Sequence, residues 1–116
     1  MNFVYVTDIL GIPIGTMKLV IVDEREVLIV NVKGIYYALS NKCPHAGGLL
    51  SEGKLDNNII TCLKHGAEID VTTGKIVVGE EDDDEEEQEI RLLNFKGKDN
   101  RIYKTKIEDG GILIGF

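Results

Sequence analysis

Short apolar runs rich in Val and Ile, broken by turn residues every few positions, set the pattern of this chain. Residues 17–22 alternate and are β-branched, and residues 27–32 repeat the pattern after a turn at 23–26. Residues 35–39 follow Lys33-Gly34. Three such runs joined by tight turns predict an antiparallel meander. Residues 59–62 form the next run, after Asp56-Asn57-Asn58, and Ile69 and residues 76–78 flank a turn at Thr72-Thr73-Gly74. Residues 91–95, 102–107 and 112–116 close the chain, split by Lys98-Asp99-Asn100 and Asp109-Gly110-Gly111. No stretch of useful length carries apolar residues at helical spacing, and no segment repeats. The prediction is an all-β sandwich or barrel. Tyr36 and Tyr37 are neighbours in one strand, so one is expected in the core and the other in solvent.

A chain of 116 residues makes one domain, 1–116, able to bury about two-thirds of its unfolded surface. No apolar run reaches bilayer length. The opening residues, Met1 to Asp8, carry no basic region and no signal-type apolar core, so a cytoplasmic protein is expected. The bias toward Ile, Val, Glu and Lys, with no Trp, leans toward a thermophile. The net charge of −7 is unevenly placed: residues 80–89 hold nine of the 20 acids, and the remaining eleven against 13 bases leave a net of +2. That block reads as a solvated loop. The alternative is a patch that steers the protein to a basic redox partner.

The chemistry lies in two short motifs. Cys43-Pro44-His45 is C-x-H; after sixteen residues, Cys62-Leu63-Lys64-His65 is C-x-x-H. Between them they use both cysteines and both histidines of the chain, and each runs into glycine, Gly47-Gly48 and Gly66. Two thiolates and two imidazoles at hairpin-tip spacing point to a metal site. One disulfide is the most that two cysteines can form, and a histidine two or three places after each favours ligation. Zinc also accepts two Cys and two His, but its ribbons favour paired C-x-x-C-like knuckles, which the C-x-H motif is not.

The pattern resembles the Rieske iron–sulfur proteins over roughly residues 5–78. Gly11-Ile12-Pro13 and the run VLIVNVKGIYYALSNKCPH match that family's lead-in strands; Gly66-Ala67-Glu68-Ile69-Asp70 and Thr73-Gly74 match its H-G-x-x-F-D-x-x-T-G segment. The resemblance implies a Rieske fold: an antiparallel β-sandwich or barrel with a small rubredoxin-like subdomain, about residues 42–72, inserted between strands. It implies a 2Fe–2S cluster, with Cys43 and Cys62 on the inner iron and His45 and His65 on the outer, solvent-edge iron that takes the electron. Neutral imidazoles lower the negative charge around the core, so the potential is higher than with four cysteines. Leu49 or Leu50 is expected to shield the cluster from water; the alternative is a surface-loop leucine packing on the base domain. Lys42 and Lys64 flank the ligands.

Three departures refine the expectation. The chain has no extra cysteines for the disulfide that joins the ligand loops of respiratory members. Ala67 and Ile69 stand where those members carry serine and tyrosine, whose hydroxyls bond to cluster sulfur. Fewer such bonds mean a lower potential, on the order of −150 mV. Leu63 replaces the proline usual in ferredoxin-type members. The expected function is a soluble Rieske-type ferredoxin, akin to archaeal sulredoxin and to oxygenase ferredoxin components. It would be a one-electron carrier, not an enzyme, between a flavin- or NAD(P)H-dependent reductase and a terminal oxygenase or other redox enzyme. The alternatives are a small Rieske-like subunit of a nitrite reductase or similar complex, and a structural zinc module.

Overall fold

The computed structural model describes residues 2–42, 49–62, 68–77 and 100–116. Ten strands account for most of them: β1 Phe3–Asp8, β2 Met17–Val22, β3 Arg25–Val32, β4 Ile35–Ser40, β5 Lys54–Asp56, β6 Ile59–Thr61, β7 Glu68–Asp70, β8 Ile76–Val77, β9 Ile102–Glu108 and β10 Gly111–Gly115. Among the described residues the only helices are single 3-10 turns at Ile9–Gly11 and Leu50–Glu52. The expected meander is β2–β3–β4. Its first turn is tighter than the sequence suggested: Asp23 and Glu24 both have positive φ, and Arg25 already pairs with Val22. Two consecutive positive-φ residues also turn the chain at Lys33-Gly34 and Asp109-Gly110, as two-residue hairpins require.

Six strands form one antiparallel sheet in the order β1-β10-β9-β4-β3-β2. Its two edges approach each other, and Lys18 of β2 donates to Thr7 Oγ1 of β1 at 2.9 Å. The sheet is therefore a barrel nearly closed on itself. Inside it lie Ile12, Val27, Ile29, Ala38, Tyr103, Ile112 and Ile114. The second sheet, β5-β6-β7-β8, has four very short strands inserted in the chain between β4 and β9. It packs on the outer face of β3 and β4 through Leu28, Val30, Val32, Leu39, Leu50, Ile60, Cys62, Ile69 and Val71. The sheet runs on to Val77, past the end of the 42–72 subdomain expected from the sequence.

β3 thus has a core on each face. Its odd residues, Val27 and Ile29, point into the barrel, and its even ones, Leu28, Val30 and Val32, face the small sheet. The same alternation corrects the expectation for the tyrosine pair. Tyr36 packs against the barrel core and Tyr37 against the second core, so both are half-buried and neither faces open solvent. The Gly11-Ile12-Pro13 segment is not a strand either. A 3-10 turn ends at Gly11, Pro13 has no N–H for a ladder, and the Ile12 carbonyl instead accepts Asn31 Nδ2 at 2.8 Å. Two strands escaped the sequence reading. In β1 most apolar side chains are exposed, and β5 has a single apolar residue, Leu55. The expected strand at 91–95 and the acidic block 80–89 lie outside the described residues.

Candidate metal centre

Two antiparallel stems frame the candidate ligands. Lys42 and Leu49 form an isolated bridge that brackets residues 43–48. Thr61 of β6 and Glu68 of β7 pair across residues 62–67. Each bracketed segment begins with one of the two cysteines, Cys43 or Cys62. The register of the small sheet brings the stems together. Lys54, Thr61, Glu68 and Val77 form one row across its four strands, so Gly53 and Cys62 follow at the same end. A Cβ on Gly53 would lie 2.3 Å from the Thr61 carbonyl oxygen. The chain leaving the first stem is therefore pressed against the strand that delivers Cys62, and only glycine permits that approach.

Cys62 is 1% exposed and packs in the same core as Leu50, Ile60 and Ile69. Of the four predicted ligands it is the one within the described residues; Cys43, His45 and His65 lie outside them, as do Lys64 and Ala67. Leu50 is fully buried beside it, while Leu49 is half-buried. Lys42 is exposed. Ile69 is fully buried in β7, so its side chain adds apolar bulk and no hydroxyl there. Among the described residues no three His, Cys, Asp or Glu side chains converge as a metal site needs, and no helix is long and apolar enough to cross a membrane.

The surrounding turns are held by side chains the motif alone did not reveal. Asn41 ends β4 and enters the first stem: its N–H donates to the Glu26 carbonyl (3.1 Å), its own carbonyl accepts Leu50 N–H (2.7 Å), and its Oδ1 accepts Ser51 N–H (2.8 Å). Asp70 organises the turn after β7, accepting the Thr72 N–H at 2.9 Å and hydroxyl at 2.6 Å on one carboxylate oxygen. Desolvation works to raise the Asp70 pKa; the Thr72 bonds and one from Asn58 outweigh it, and the carboxyl sits below its ordinary range. Asn100 then ties this turn to the barrel, donating its N–H to the Gly74 carbonyl and its Nδ2 to the Ser40 carbonyl, both at 2.7 Å. A polar residue at the end of an apolar strand was the available sequence signal for Asn41 and Asn100.

The donor set suits an iron–sulfur group. Thiolate and imidazole together are soft to borderline ligands, one cysteine is sealed in apolar surroundings, and both stems open at one end of one small sheet. Comparison with known proteins agrees. The model of the Rieske [2Fe-2S] domain matches residues 2–102. The ferredoxin component of a naphthalene 1,2-dioxygenase/salicylate 5-hydroxylase system from Ralstonia is 29% identical over 103 residues, covering 89% of this chain and 85% of that protein. Apoptosis-inducing factor 3 of Mus musculus is 37% identical over 62 residues, which are 53% of this chain but 10% of that much longer protein. Among solved structures, the ferredoxin of Sphingomonas yanoikuyae B1 superposes with a TM-score of 0.78 over 99% of both chains at 23% identity, a likeness of fold.

Proposed function

The chain belongs to the Rieske [2Fe-2S] domain family, and from that premise we propose that it is a ferredoxin-type carrier delivering single electrons to a terminal oxygenase. The observation that carries the reading is the convergence of both cysteine-bearing stems at one end of the small sheet, with Cys62 buried there. Cys43 and Cys62 would hold the inner iron of a 2Fe–2S cluster, and His45 and His65 the outer one. When bound, the cluster supplies a one-electron couple, expected at the low end of the Rieske range, on the order of −150 mV. Leu50, Ile60 and Ile69 keep water from the Cys62 side. The histidine side is then the face through which a partner exchanges electrons.

The Ralstonia relative is named as a ferredoxin component, and a solved complex of the carbazole 1,9a-dioxygenase system contains oxygenase and ferredoxin together. A terminal oxygenase is the partner these relatives support, with a flavin- or NAD(P)H-dependent reductase upstream. The second reading is a small Rieske-like subunit of a nitrite reductase or similar complex, held permanently by a larger partner. Both cysteines are assigned to the cluster and none is left for a disulfide, which fits a reducing cytoplasm. The Ile, Val, Glu and Lys bias fits a protein that works hot.

Visible absorption and EPR of anaerobically purified protein, before and after dithionite, test the proposal. A red-brown oxidised form and a rhombic, low-average-g signal on reduction are expected. A colourless, EPR-silent protein holding one zinc would replace the carrier by a structural module. Gel filtration of native extract separates the subunit reading, since a free carrier elutes near 12.9 kDa.

A further inference from the structure

Among the described residues three asparagine side chains are buried, and one of them is only half satisfied. Asn31 donates Nδ2 to the Ile12 carbonyl and accepts Gly34 N–H on Oδ1, both at 2.8 Å. Asn100 donates Nδ2 to the Ser40 carbonyl at 2.7 Å. Asn41 is 0% exposed, its Oδ1 is taken by Ser51 N–H, and its Nδ2 has no hydrogen-bond partner among the described residues. Flipping the amide does not help, because an NH2 would then face the Ser51 N–H, donor against donor. A buried donor left unpaired costs about 1–3 kcal/mol, and buried polar groups nearly always find a partner.

The position of Asn41 says where that partner lies. It stands one residue before the Lys42–Leu49 bridge and two before Cys43. Its carbonyl holds Leu50, which shares a core with Cys62. Its backbone is clamped on both sides, by Glu26 and by Leu50, and its side chain is held by the Ser51 N–H away from water. We propose that Asn41 Nδ2 donates to a sulfur atom of the 2Fe–2S group at the root of the first ligand loop, and so acts as a positioning and potential-tuning residue. This rests on the ligand set read above. An anionic sulfur is the stronger acceptor for such a donor than a neutral carbonyl. The bond tightens when the cluster gains an electron, so it favours the reduced state and raises the potential. It supplies from a side chain in β4's exit what Ala67 and Ile69, lacking hydroxyls, do not.

The test uses the reduced holoprotein grown with asparagine labelled with 15N at the side-chain amide, read by pulsed EPR. A weak 15N hyperfine coupling to the cluster spin is expected. Asn41→Asp keeps the Oδ1 acceptor for Ser51 but removes the donor. It should abolish the coupling and shift the one-electron equilibrium toward the oxidised form by at least about threefold, about 28 mV at 59 mV per tenfold. The added charge also lowers the potential, so the coupling is the deciding readout. If Asn41→Asp fails to assemble its cluster, Asn41→Ser with the same label assigns the signal. A normal Rieske-type signal with no 15N coupling in the labelled wild type, or a coupling that survives both substitutions, overturns the role of Asn41 alone. Absence of any Rieske-type signal overturns the ligand reading instead.

Discussion

Gly74 shows how one residue fastens the small sheet to the barrel. It sits at φ +77°, and a Cβ there would lie 2.3 Å from the Asn100 carbonyl oxygen and 2.9 Å from Ile102 Cγ1. Asn100 is the residue whose amide reaches Ser40, at the root of the first ligand stem. A side chain at 74 therefore meets two costs, the left-handed backbone and a collision with main chain that cannot yield cheaply. Gly15 isolates the first cost, since it has φ +81° and nothing within 4 Å of its would-be Cβ. Gly15→Ala should cost about 1 kcal/mol and Gly74→Ala at least about 2–3 kcal/mol. Urea unfolding of the two variants checks the difference; equal losses would mean that the Asn100 contact gives way easily. The Thr73-Gly74 pair was legible as part of a family motif, but its purpose was not. The reason for the glycine is a carbonyl 26 positions away in sequence.

The strands β5–β8, none longer than three residues, cannot form a stable sheet by themselves. They are held by the core they share with β3 and β4, by Asn100, and, on the function proposed above, by the cluster. The barrel, by contrast, has its own interior, made of residues from β3, β4, β9 and β10 with Ile12. Removing the cluster should therefore loosen one element and spare the other. Hydrogen exchange on holo- and apoprotein is expected to show amide protection falling about tenfold or more at Ile60 and Ile69. Ile29, Ile112 and Ile114 should keep theirs. Uniform loss across both sheets would show that the two cores open together. The meander β2–β4 and the closing strands β9 and β10 were readable because each carries a local signal: alternation or tight turns. The double-sided burial of β3 and β4 was not. A strand covered on both faces reads as a plain apolar run, and only the second sheet explains it. The convergence of the two stems was equally hidden, because it depends on the Lys54–Thr61–Glu68–Val77 register.

Charge is the property that belongs to the whole molecule. With residues 80–89 the chain carries −7; without those nine acids it carries +2. In sequence the block begins three residues after Val77, which closes the row that also holds Thr61 and Glu68. Attraction by such a patch acts before contact and fades with salt, since the screening length is about 8 Å at physiological ionic strength. It raises the rate of encounter with a positively charged partner while leaving the chemistry of the site alone. Deleting residues 80–89 should leave the cluster's potential within a twofold shift of the one-electron equilibrium, about 18 mV at 59 mV per tenfold. The same deletion should slow electron exchange with a basic partner and flatten its dependence on ionic strength. Stopped-flow reduction across a salt series, on the full chain and the deletion variant, measures both. Unchanged rates at low salt would leave the block as a solvated connection with no part in recognition. A drop in rate that persists at high salt would point to direct contact in the docked complex and not to steering.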